Sequence, residues 1–124
     1  MLETRQSRAK QTGEVFTPPE LVNDILNKLP PEAWVEGKTF IDPACGDGAF
    51  LVAVLTRKIQ LGHKLLLETI FGVDLMEDNV LECRARLLKV MSCPTEEHIR
   101  TVCNNIVCHD ALTYNFEFTP QEPN

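Results

Sequence analysis

Three aspartates stand at the ends of three short apolar runs. Asp42 closes KTFID, Asp74 falls within TIFGVDL, and Asp110 follows NIVC and His109. A carboxylate so placed accepts hydrogen bonds from ammonium, hydroxyl or amine groups and attracts positive charge. After the first of them the chain runs FIDPACGDGAF, a turn of small residues carrying Gly46 and Gly48. A turn stripped of side chains lets another molecule approach the backbone closely. Any one aspartate is explained by turn and cap preferences. Three of them in register, beside a bare turn, suit a ligand that carries hydroxyls and amines.

The turn does not match a phosphate cradle. GxGxxG would need a third glycine where Leu51 stands, and no GK[ST] exists for a P-loop. Asp42 would also repel a pyrophosphate, whereas it suits an ammonium group. Asp74 is well placed for ribose hydroxyls. A nucleoside with a zwitterionic arm fits this pattern, which describes S-adenosylmethionine. His109-Asp110 resembles a metal phosphohydrolase pair, but His63 and His98 fall at no matching spacing, so no metal site is expected.

The elements that must hold these residues are legible from periodicity. Thr17 and Glu20 fit a capping box and Pro18 a first helical position. Leu21, Val22, Ile25, Leu26 and Leu29 then mark one helical face, stopped by Pro30-Pro31. Residues 38–42 read as a strand, 48–62 as a helix, and 69–75 as a strand buried on both faces. Residues 77–91 form a helix with Val80, Leu81, Leu87 and Leu88 on its apolar side. A short helix is expected over 95–103 and a third strand over 105–108. Strands alternating with helices imply a parallel sheet, with ligands at the carboxyl ends of the strands. Phe50 suits either core or pocket wall, and general burial habits favour core.

The 124 residues suffice for one domain with a core. There is no signal-peptide pattern and no long apolar run, so a soluble cytoplasmic protein without membrane contact is expected. Five cysteines without a CxxC pair point to reduced, mostly buried thiols. A net charge of −6 argues against a nucleic-acid surface. Arg5, Arg8 and Lys10 gather near the N-terminus, as a solvated tail or a DNA-touching arm.

With these residues in place, the chain resembles the amino-terminal part of a gamma-class adenine-N6 DNA methyltransferase. GEVFTPPELV is similar to that family's opening motif, DPACGDGAFL to its glycine motif, GVDLMEDNV to its ribose motif and NIVCHDAL to its adenine-amine motif. The likeness spans residues 13–112, in the family's order. It implies an α/β, Rossmann-like methyltransferase fold, truncated to three parallel strands with helices. Residues 1–12 would be a flexible tail and 13–124 the S-adenosylmethionine-binding domain. Phe16, Thr17 and Pro18 would then contact the methionine moiety and Asp42 its ammonium. The backbone from Ala44 through Cys45 and Gly46 to Gly48 would lie against the ligand. Asp74 would accept from both ribose hydroxyls, Leu75 would pack on adenine, Asp110 would accept from the adenine amine, and Ala111 would close the pocket.

The resemblance breaks at the catalytic motif, an Asn- or Asp-Pro-Pro-aromatic tetrapeptide whose ring stacks on the flipped base. Pro18-Pro19 and Pro30-Pro31 are the chain's Pro-Pro pairs, and neither has those neighbours. The implication is a cofactor site with no catalytic residues, inactive alone. The sequence fits a split subunit, a truncated product or a fragment equally. The missing strand would leave 38–42 as an open edge that invites pairing. A homodimer, or a second polypeptide supplying the catalytic motif, would complete the sheet, with DNA reached only through that partner. Alternatively Tyr114, Phe116 and Phe118, which alternate, would fold back as a covering strand. Two other readings stay open: a non-catalytic regulatory protein derived from that family, and, weakened by the short turn and its acid, a nucleotide-binding enzyme.

Overall fold

The apolar runs that precede the three aspartates pair side by side. β1 (Phe40–Asp42), β2 (Ile70–Asp74) and β3 (Ile106–Cys108) form a parallel sheet in the order β1-β2-β3. The computed structural model describes residues 17–118. The expected tail over 1–12 and the candidate ligand residue Phe16 lie outside them. Four α-helices are described: α1 (Pro19–Asn27), α2 (Ala49–Gln60), α3 (Glu77–Val90) and α4 (Glu96–Asn105). The architecture is α/β and matches a three-stranded part of a Rossmann-like methyltransferase fold. Among the described residues no helix is long and apolar enough to cross a membrane.

One core holds these elements together. Leu51, Val54 and Leu55 of α2 and Val80, Cys83 and Leu87 of α3 pack with Ile70 and Ile106 of the sheet, Val22 and Leu26 of α1, and Val102 of α4. Each such aliphatic side chain stabilises the fold by about 1.5–3 kcal/mol on burial. Phe50 is half-buried against this cluster. Gly72, in the middle of β2, is where the sheet and the glycine turn come closest. A Cβ there would lie 2.9 Å from both Cys45 Cβ and Leu51 Cδ1.

Several side chains depart from the periodicity reading. In α1, Val22 and Leu26 are buried while Leu21 and Ile25 are exposed, because a nine-residue helix resting on α2 needs only a narrow stripe. In α3, Leu81 is exposed, and Asn79 and Cys83 take the inward positions. In α2, Lys58 rather than Ile59 is buried. Its ammonium lies 5.2 Å from the Phe40 ring and donates to the Lys38 carbonyl at 2.7 Å. Burial lowers its pKa, opposed by the charges of Glu36 and Glu68. All five cysteines are free, but only Cys45 and Cys83 are buried; Cys93, Cys103 and Cys108 are exposed.

Thr17 does not cap α1. Pro18 is the N-cap residue, with no side-chain cap bond, and Pro19 is the first helical residue. A proline restricts the residue before it to extended backbone. Pro18 accordingly has φ −67° and ψ 152°, which pushes the helix start one residue beyond the capping-box register. A true capping box appears at α4 instead. The Thr95 hydroxyl accepts from His98 N–H at 3.2 Å, and His98 Nδ1 accepts from Thr95 N–H at 3.1 Å.

The helices share one face of the sheet. By alternation, Ile41, Phe71, Val73 and Val107 point to the other. There the 114–118 segment folds as an aromatic cluster rather than the alternating strand expected. Phe118 packs on Phe71 at 4.7 Å, and Tyr114 touches His109, Phe116 and Phe118. Phe116 has φ 57°, which breaks the extended path. Among the described residues nothing pairs with the outer edge of β1, and Ile41 is 51% exposed.

Substituting Gly72→Ala tests the closeness of β2 to the turn. Overpacking at this position lowers stability by about 1–3 kcal/mol, measured by urea unfolding. Unchanged stability would contradict the packing described.

Candidate cofactor site at the strand ends

Parallel pairing brings the three aspartates to one edge but not to one level. Asp42 pairs with Gly72, and Asp74, two residues further on, pairs with Cys108. Asp110 lies two residues beyond that. The carboxylates therefore step outward across the sheet, not in register as the sequence suggested, because each successive strand aligns two residues late.

Asp42 is half-buried at the end of β1, and one oxygen accepts the Ala44 N–H at 3.1 Å. Burial pushes its pKa up, the Ala44 bond pulls it down, and the negative charge of Asp74 raises it further. Among the described residues it has no cationic partner. A carboxylate kept in this state is stabilised by any cation that reaches it.

The turn after Asp42 is fixed from outside itself. Cys45 N–H donates to the Val73 carbonyl at 3.0 Å, and Gly46 N–H donates to Asp74 Oδ2 at 2.9 Å. Arg86 of α3 contacts Asp47 Oδ1 and the Asp47 carbonyl, both at 3.2 Å. Gly48 begins α2 with φ 92°, and a Cβ there would lie 2.8 Å from Cys83 Sγ. Only glycine satisfies both the positive φ and that contact. Hydrogen bonding with Cys83, then burial, holds the Cys45 thiol far above its ordinary pKa and hence protonated. Cys45 is therefore packing, not a nucleophile.

Asp74 gathers three donors. Oδ2 accepts from Gly46 N–H, while Oδ1 accepts from Met76 N–H at 2.9 Å and Asn79 Nδ2 at 3.1 Å. Leu75 beside it is 67% exposed, offering an apolar surface at the edge. At β3, His109 N–H donates to the Asp74 carbonyl at 2.9 Å, and Cys108 Sγ approaches the Leu75 carbonyl at 3.4 Å. Asp110 is exposed; its carboxylate accepts the Leu112 N–H at 2.9 Å, and its carbonyl accepts from Thr113 and Tyr114. Ala111 is half-buried in that turn.

The structure thus gathers Asp42, Ala44, Cys45, Gly46, Gly48, Asp74 and Leu75 about one turn, with Asp110 and Ala111 at the neighbouring strand end. Thr17 and Pro18 lie just ahead of α1, with Pro18 as its N-cap residue. No group of metal-ligating side chains is found among the described residues. Asn79, Cys83 and Arg86 escaped the sequence reading. The signal for Asn79 was there: a polar residue four before Cys83 and eight before Leu87, on the inward stripe.

The chain is 30% identical over 86 residues to the type I restriction enzyme EcoEI methylase subunit of Escherichia coli. That alignment covers 64% of this chain and 17% of the relative, so the chain spans under a fifth of the relative's length. No solved structure matches. The family model described as N-6 DNA Methylase matches residues 1–92, through the glycine turn, Asp74 and Asn79. With most of its length matched, the chain belongs to the N-6 DNA methylase family.

Proposed function

We propose that this chain is the S-adenosylmethionine-binding part of an adenine-N6 DNA methyltransferase. Family membership supports that cofactor class. The observation that carries the reading is the half-buried Asp42 carboxylate, which has no cationic partner among the described residues, set beside a glycine turn that Asp74 holds. Those residues fit the ligand. Asp42 would take the ammonium, and the backbone from Ala44 to Gly48 would lie along the ligand. Asp74 would accept from the ribose, Leu75 would cover one adenine face, and Asp110, beside Ala111, would accept from the adenine amine. Phe16, Thr17 and Pro18 would approach the methionine end. When bound, S-adenosylmethionine supplies a methyl group on its sulfonium. The chain's own residues orient it and leave the target amine to groups on another segment or polypeptide.

Two features support that division. The Asn/Asp-Pro-Pro-aromatic tetrapeptide is absent from the sequence, and the −6 net charge disfavours direct DNA binding. The edge of β1, which pairs with nothing among the described residues, and exposed Ile41 suit a further strand, from a second copy or a second polypeptide carrying the motif. The relative's description as a methylase subunit accords with such a partner. Methyl transfer to adenine on mixing with that partner, and none without it, is the expected pattern.

Titration calorimetry tests the cofactor reading. S-adenosylmethionine binds, and NAD, whose pyrophosphate Asp42 repels, does not. Asp74→Ala and Asp110→Ala each weaken binding by about 1.5–3 kcal/mol; equal affinity of parent and both variants would contradict the site.

Asp42 gives the reading a pH signature. Its pKa is raised in the fold, so the buried carboxylate costs stability once ionised. The stability it contributes is present below the ordinary aspartate range and is lost as pH rises through the raised value. Ligand affinity runs the other way, growing over the same window as the carboxylate ionises to meet the ammonium. Asp42→Asn therefore stabilises the unliganded protein at neutral pH, weakens S-adenosylmethionine binding, and flattens the acid limb of the affinity profile. Calorimetry and thermal melts across acid to neutral pH check all three; an unchanged acid limb would refute the assignment.

A further inference from the structure

We propose that Asn79 is the positioning residue for the Asp74 carboxylate, fixing which of its oxygens meets the ligand; the inference rests on the cofactor reading above. Asn79 is fully buried, on a helix face otherwise filled by Val80, Cys83 and Leu87. A buried amide destabilises a core unless its hydrogen bonds are made, so a role other than packing accounts for it there. Its Nδ2 donates to Asp74 Oδ1 at 3.1 Å, across the first turn of α3. The other donors to Asp74 are backbone N–H groups of Gly46 and Met76, in the two connecting turns. Asn79 is the side-chain donor, and it comes from the rigid element.

Counting acceptor sites makes the consequence specific. A carboxylate offers about four, two on each oxygen. Met76 and Asn79 occupy both on Oδ1, and Gly46 occupies one on Oδ2. The remaining site lies on Oδ2, the oxygen turned to the glycine turn. Asp74 therefore accepts one ribose hydroxyl, not two, and Asn79 sets which oxygen does so.

The test uses S-adenosylhomocysteine as probe, titrated into the parent, Asn79→Ala, Asp74→Asn and the double variant. Asn79→Ala weakens binding about tenfold, and the double variant is no weaker than Asp74→Asn, because Asn79 acts through Asp74. Additive losses, or no loss from Asn79→Ala, would overturn the inference. Should Asn79→Ala fail to fold in circular dichroism, the parent alone decides, with 2′-deoxy and 3′-deoxy forms of the probe. One analogue then loses about tenfold and the other keeps its affinity; equal losses would overturn the proposal. A parent that binds no probe would defeat the cofactor reading and this inference together, whereas a binding parent with additive losses defeats only the latter.

Discussion

The hydrogen bonds that converge on the Asp74 carboxylate tie the glycine turn, 28 residues back along the chain at Gly46, to the start of α3. Gly46 comes from the turn after β1, Met76 from the turn after β2, and Asn79 from α3. A backbone turn of small residues has little side-chain packing to define its shape, so its course must be imposed from outside. Asp74 does this with a charged acceptor, the stronger kind of hydrogen bond, and the Val73 carbonyl and Arg86 add their own ties to Cys45 and Asp47. The same carboxylate serves a helix whose N-cap residue, Met76, has no side-chain cap bond. One acid thus sets the turn and the start of α3.

The site is built at some cost to the fold. Asp42 sits half-buried near a second negative charge, with one backbone N–H for support. A sequence selected for stability alone would not keep this arrangement, and strained or uncompensated groups are what functional sites accumulate. The rest of the protein supplies the rigidity. α2 and α3 pack against the sheet from one side, and Lys58 pins the start of β1 through the Lys38 carbonyl. Among the described residues a small aromatic cluster on Phe71 lies on the opposite side, and nothing pairs with the outer edge of β1.

The order of strands and helices was legible because it rests on periodicity and on Gly and Pro punctuation, which are local properties. Side-chain assignments failed where the decision was not local. Thr17 carries a capping-box spacing, yet the Pro18-Pro19 pair moved the helix start. Leu21, Ile25 and Leu81 read as core by helical periodicity, but whether a stripe is one or two residues wide depends on what packs against it. Tyr114, Phe116 and Phe118 alternate like a strand, but Phe116 takes a positive φ and the rings gather on Phe71 instead. Asp42 and Asp74 end their strands, as the apolar runs before them suggested. Asn79 was passed over because an amide in a helix reads as surface until the helix's inward face is known.

The central claim is that the acidic strand ends and the glycine turn form the seat of an adenosyl sulfonium ligand. A crystal structure of the protein soaked with S-adenosylmethionine addresses it most directly. The account predicts the ligand along residues 42–48, its ammonium at Asp42 and its ribose at Asp74 Oδ2. Density instead in the groove between α2 and α3, lined by Val52, Arg86 and Lys89, with the strand ends untouched, would contradict it.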